Sequence, residues 1–341
     1  MKKISFVAFI IALGFAFVLP FESLAQRNRK AALTQTSPTS DLLSALPPSD
    51  AVALVKVNRL LDEAMPKLLA ENPARLTELT TELANFKKQT GLDPRSFDQL
   101  ALGFRYLYPA EGITKISTVG LARGTFNAGA IVAAGRLATN GKYVEQKYLG
   151  KTIYIFTLDR QLKLLGLLDI KVGDLAVTSV GGNLIALGDL DAVRSVIDAN
   201  ISRKHANPEL IALASRDPNA IVGFGGNLTD KLRQNLSITN NSIARELTAV
   251  RQVYGTLGMT PTDLELMMAA RTVDPDSARN LSDTVEGLKQ VGGFFISRLS
   301  PVKGTLARSA LSNLKITTQG NELQLRTAVA QSQVTPLIRG Y

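Results

Sequence analysis

The chain has 341 residues, with 39 Lys and Arg against 29 Asp and Glu, a formal charge of +10, and 45% hydrophobic residues. That composition is ordinary for a folded protein of one large or two smaller domains, and it excludes bulk disorder, collagen-like repeats and coiled coils. The absence of Cys and the single His exclude disulfides, thiol nucleophiles, Cys-ligated zinc, iron–sulfur clusters and any metal site needing two imidazoles.

Residues 1–25 read as a secretory signal peptide. Lys2 and Lys3 precede an apolar run from Ile4 to Leu19, Pro20 breaks it, and Ser23-Leu24-Ala25 offers small residues for cleavage. Arg27, Arg29 and Lys30 follow at once and resist translocation, so an uncleaved anchor is the competing expectation. Loss of Lys2, Lys3 and Glu22 leaves a mature charge of +9. Outside the cytoplasm such a charge faces envelope lipids and glycans, not nucleic acid. Lys87-Lys88 and Arg203-Lys204-His205 are short enough to be solvated helix ends or loops.

Residues 26–40 are polar and lack aromatics, which predicts a disordered linker extending to residue 44, with order beginning near Leu42. Beyond it the chain reads as an α+β protein of two related halves, residues 45–203 and a shorter 204–341, each with antiparallel or mixed sheet and helices packed on it. The strand pattern Asp50–Asn58 recurs as Asn219–Asn227, an offset of 169. Gly91-Leu-Asp-Pro94 recurs as Gly258-Met-Thr-Pro261, an offset of 167, each with a glycine ending a helix and a capping residue before proline. The helix before Gly91 starts at Asn72-Pro73 and carries Leu76, Leu79, Leu83 and Phe86 on one face; its counterpart starts at Ser242 and carries Ile243, Leu247, Val250 and Tyr254. Strands are predicted over Leu100–Tyr108 and Leu264–Val273.

In the first half, Val119–Ala122 and Phe126–Leu137 read as further strand pattern, and Tyr143–Tyr148 pairs with Thr152–Leu158 around Leu149-Gly150-Lys151. Hairpins close at Gly181-Gly-Asn183 and Gly320-Asn321. A helix capped by Asp189 carries Val193, Val196 and Ile197; the second half has a helical stripe of Leu281, Val285, Leu288 and Val291.

Candidate chemistry is weighed against structural duty. Gly223-Phe-Gly225-Gly226 sits where dinucleotide folds keep glycines, but the third position is Leu228, so close helix–strand packing is expected. Gly150-Lys151-Thr152 lacks the earlier glycine of a phosphate loop and reads as a hairpin turn. Ser300-Pro-Val-Lys303 and Ser312-Asn-Leu-Lys315 match the Ser-x-x-Lys spacing of penicillin-recognising enzymes without their companion elements. His205 lies beside two cations in a loop, and Asp189, Asp191, Asp274 and Asp276 fit helix starts. No residue is assigned a catalytic, cofactor-binding or metal-ligating role, and no cofactor is expected.

Leu46-Pro-Pro-Ser-Asp50-Ala-Val, Gly124-Thr-Phe-Asn-Ala-Gly129, Gly150-Lys-Thr-Ile-Tyr154 and Ile185-Ala-Leu-Gly-Asp189 together resemble a group of uncharacterised exported bacterial proteins, over roughly residues 45–335. The resemblance implies a duplicated α+β unit and carries no catalytic residue. The function expected is a non-catalytic envelope or periplasmic protein, structural or binding. Its partner would be an envelope protein or an apolar ligand, not nucleic acid, and it would touch the membrane only through an uncleaved N-terminal segment. A carrier of an apolar ligand, with helices at 60–90 and 242–257 covering a cavity, is the second expectation. A hydrolase using carboxylates or Ser and Lys is the third.

Overall fold

A computed structural model of the chain describes residues 38–111, 113–164, 168–235, 246–296 and 299–338. The predicted signal peptide, most of the tether and the helix start at Ser242 lie outside them.

Ala51-Val-Ala-Leu-Val-Lys56 forms β1, and its four middle residues are buried, as the near-continuous apolar run requires of a strand covered on both faces. The chain then coils through a π-helical turn, Arg59–Ala64, and α2, Met65–Leu68, into α3, Pro73–Thr90. Asn72 caps α3 by accepting from the Arg75 amide, Pro73 takes the first helical position, and Gly91 at φ 72° ends the helix in the left-handed region. A 3-10 turn, Pro94–Ser96, leads into the long hairpin β2, Phe97–Ala110, and β3, Ile113–Gly124.

Next come α4, Ala128–Ala138; β4, Tyr143–Tyr148; β5, Lys151–Leu164; β6, Leu168–Gly181; β7, Leu184–Gly188; and α5, Leu190–Ser202. The remainder holds α6, Pro208–Ala214; β8, Val222–Asn227; α7, Asp230–Asn235; β9, Val250–Met259; β10, Asp263–Thr272; α8, Pro275–Ile296; α9, Pro301–Ser312; β11, Lys315–Gln319; β12, Glu322–Ala330; and α10, Gln331–Ile338.

The twelve strands of the described residues join one antiparallel sheet in the order β11-β12-β10-β9-β8-β1-β2-β3-β7-β6-β5-β4. Ala53, Val55, Leu100, Leu102 and Phe156 face one side, where α2, α3 and α4 seal the first core cluster. Val52, Leu54, Leu121 and Ile153 face the other, under α5, α6 and the short helix α1, Pro38–Ser44. A third, smaller cluster joins α8 to β12 through Leu281 and Leu323.

Three expectations are corrected. Residues 38–44 are not linker: α1 buries Leu42 and Leu43 against β1, β2 and α6, because two adjacent leucines pack once a sheet face is available. Phe126–Leu137 is not strand: Asn127 caps α4, and the alanine-rich run sets Ile131 and Ala134 one turn apart on the buried side. Val250 and Tyr254 are not helical but lie in β9, so Gly258 falls near the end of a strand whereas Gly91 ends a helix. The 167-residue match therefore joins positions that are not equivalent.

Leu43→Ala is expected to cost about 2.5 kcal/mol, because Leu43 is fully buried and its deletion leaves a cavity. Urea denaturation checks this; a linker residue would shift the midpoint negligibly.

Candidate functional site

Two places concentrate side-chain chemistry. The first is a polar cluster that fastens α6 to the sheet. Glu322 on β12 accepts from Arg271 Nε at 3.0 Å and Nη2 at 2.8 Å through one oxygen, and from the Tyr254 hydroxyl at 2.8 Å through the other. Arg216, just past α6, donates to the Tyr254 oxygen, lies 5.0 Å from the centre of its ring, and stands 3.6 Å from Glu322. Arg271 Nη1 also reaches Glu209 in the first turn of α6 at 2.7 Å and Gln252 at 2.8 Å, and Gln252 donates to Asn227. Both ends of α6 are thereby tied to β9, β10 and β12.

Electrostatics follow from this geometry. Burial and the hydrogen bond to Glu322 push the fully buried Tyr254 phenol far above its usual range. Burial works against the Glu322 charge, yet the hydrogen bonds from Arg271 and Tyr254 hold its carboxyl below the ordinary glutamate range. The buried members, Glu322 and Tyr254, find their partners inside the cluster, which makes it a fastening.

Between the two ties, β8 approaches α6 closely. A side chain at Gly223 would collide with the Ala214 carbonyl, and one at Gly225 would come within 2.8 Å of Leu213 Cβ. These glycines serve packing: they lie within β8, and the short helix α7 that follows opens only at Asp230, where Thr229 Oγ1 accepts from the Leu232 amide.

The second place is a groove of about 350 Å³ between the C-terminal half of α5 and two strand ends. Leu149, Val180, Leu184, Ile197 and Ile201 give it an apolar lining, and Lys151 Nζ donates to the Val180 carbonyl along its wall. Leu149 and Ile201 are 58% and 65% exposed at its lip. α5 is held here from both ends. Asp189 occupies its N-cap position but turns its carboxylate to the Thr118 amide, 2.8 Å away on β3. Farther along, Tyr148 donates to Asp198 at 3.0 Å, which raises the phenol's pKa, and Arg194 reaches Gln146 at 3.0 Å.

The other positions singled out in the sequence are scattered. Leu149 and Gly150, at φ 45° and 77°, make the two-residue turn between β4 and β5, with Lys151 and Thr152 already in strand. Ser300 occupies the N-cap position of α9 without a side-chain capping bond, which places Lys303 in its first turn, while Lys315 lies exposed on β11. Asp274 accepts from the Ser277 amide as a cap, and Asp191 and Asp276 pair with Arg194 and Arg279. His205 differs from a freely solvated loop residue: it is half-buried, and among the described residues its Nδ1 has no hydrogen-bond partner.

Sequence reasoning missed the Tyr254 cluster because it placed Tyr254 on a helix. Gly255 and Gly258, within four residues of it, were the available signal against a helix there.

No protein-family model matches the chain, and no curated protein does. Among solved structures, TP0453 in its crystal form IV is similar at a TM-score of 0.46 and 10% identity, over 87% of this chain and 96% of that one. Crystal form III of TP0453 gives 0.44 and 10%, over 87% and 97%. Among the described residues, no helix is long and apolar enough to cross a membrane.

Proposed function

We propose that the chain is an exported, non-catalytic envelope protein that acts as a binding module, its apolar groove beside α5 receiving the partner. The observation that carries this reading is the contrast between the two places described above. The buried Glu322 and Tyr254 of the polar cluster are partnered within the protein, whereas the groove presents exposed Leu149 and Ile201 around an apolar wall. An apolar ligand enters by this groove. The space under α3, which the carrier expectation assigned to a cavity, holds Leu83, Phe97, Leu100 and Phe156.

Export rests on Lys2-Lys3, the run to Leu19 and Ser23-Leu24-Ala25. The duplication belongs to the same proposal, as does kinship with the exported group. Outward from the centre, β8-β9-β10-β12-β11 repeats the path β1-β2-β3-β7-β6. The 169-residue offset makes Leu54 the counterpart of Gly223, and those two residues face each other across the β1–β8 ladder. That is where a two-fold relation between the halves would place its axis.

The test is native mass spectrometry of the protein purified from its own envelope fraction. A lipid or protein neighbour should be recovered with the parent and lost with Ile201→Asp, which leaves the fold intact because Ile201 is exposed. Recovery unchanged by that substitution overturns the groove, and recovery of the chain only from the cytoplasm overturns export.

A further inference from the structure

β4 ends the sheet, and among the described residues its outer edge has no strand beside it. The two-residue turn at Leu149-Gly150 makes Tyr148 and Lys151 a hydrogen-bonded pair. Alternation along the ladder then directs the main-chain groups of Tyr148, Gln146 and Val144 inward to β5. Those of Lys147, Glu145 and Tyr143 point outward, unpaired, along an edge where Val144 is 63% exposed. Such an edge pairs with another strand unless its side chains forbid it.

We propose that β4 pairs antiparallel with β4 of a second copy, across a two-fold axis through Gln146. This inference goes beyond the groove and does not depend on it. A two-fold normal to the sheet keeps each face on its own side, so opposed residues must share a face. With Gln146 opposite itself, Glu145 stands opposite Lys147 twice, and Val144 stands opposite Tyr148 twice on the other face. Glu145 and Lys147 are also the residues whose main-chain groups point outward, so each opposed pair closes two ladder hydrogen bonds. Slipping the register by two residues sets Glu145 against Glu145 in one direction and Lys147 against Lys147 in the other, and like charges directly opposed destabilise a sheet. Edge lysines ordinarily repel a second strand, but here each meets a carboxylate. The strand Tyr-Val-Glu-Gln-Lys-Tyr thus complements itself in one register.

The experiment uses the whole purified protein in sedimentation velocity over a concentration series. Glu145→Lys or Lys147→Glu alone should weaken the dimer roughly tenfold or more, since each replaces two opposite-charge pairs with two like-charge pairs. The double reversal should restore it. The chain has no cysteine, so Gln146→Cys gives a single thiol on the axis. A non-hydrogen-bonded pair there brings the two Cα atoms to about 4.5 Å, close enough for a disulfide under mild oxidation. A Thr318→Cys control on β11, the opposite edge, should not cross-link. The proposal is overturned by a monomer at every concentration, by a dimer indifferent to the single reversals, or by cross-linking through residue 318 in place of 146.

Discussion

Glu322→Ala should destabilise the protein by about 3 kcal/mol. Truncation strips the Arg271 Nε and Nη2 donors of their acceptor, leaving the guanidinium only the more exposed Glu209 and Gln252, and leaves the fully buried Tyr254 hydroxyl without its acceptor. Breaking a buried pair by deleting one member costs more than the pair contributes, because the survivor keeps its desolvation penalty. Glu322→Gln retains an acceptor and should lose about half as much. Equilibrium urea unfolding measures both, and a cost below about 0.5 kcal/mol for the alanine variant would mark the cluster as an ordinary surface pair.

The same cluster gives stability a pH dependence with a definite sign. The carboxyl of Glu322 is held lower in the folded state than in the unfolded chain. Its contribution is therefore fully present above the ordinary glutamate value of about 4.3 and is lost as pH falls through the folded value. Parent and Glu322→Gln stabilities should converge in acid. Tyr254 acts at the other end. Its folded pKa is raised, so its contribution is present below about pH 10 and declines as pH climbs toward the folded value. Tyr254→Phe should flatten the alkaline limb.

Gly223→Ala should cost about 3 kcal/mol. The new methyl points at the Ala214 carbonyl, and neither backbone yields easily, since β8 pairs with β1 and β9 on its two sides and α6 is tied at both ends. Gly181→Ala is the matched control, because its methyl meets nothing within 4 Å, and it should stay within about 0.5 kcal/mol. Thermal unfolding separates the two. A dinucleotide-binding role for Gly223 would instead leave stability nearly unchanged and alter ligand affinity.

Much of the fold was legible where chemistry is local. The Asn72-Pro73 start and Gly91 stop of α3 were readable, because a cap and a left-handed residue act within one turn. So were the hairpin turns at Leu149-Gly150 and Gly320-Asn321. The misreadings came where two periodicities compete. Phe126–Leu137 alternates well enough for a strand, yet its alanines and Asn127 favour a helix. Around Tyr254, apolar residues spaced by three and four imitate a helix, while pairing with β8 and β10 makes the segment a strand.

The candidate sites were the least legible part. Glu209, Arg216, Tyr254, Arg271 and Glu322 span more than a hundred residues, and nothing in their spacing brings them together. The groove likewise draws on the β4–β5 turn, the β6–β7 hairpin and the end of α5.

By itself, the sequence determined the absence of thiol and paired-imidazole chemistry, the caps, the tight turns and the α+β class, since each depends on residue type or on neighbours a few positions away. Only the tertiary structure decided that strands from the early and late parts of the chain share one sheet, that α1 belongs to the core, and that the charged residues near α6 pair with one another. Those outcomes depend on which distant strands pair and which faces they bury, a choice made by the free energy of the whole chain.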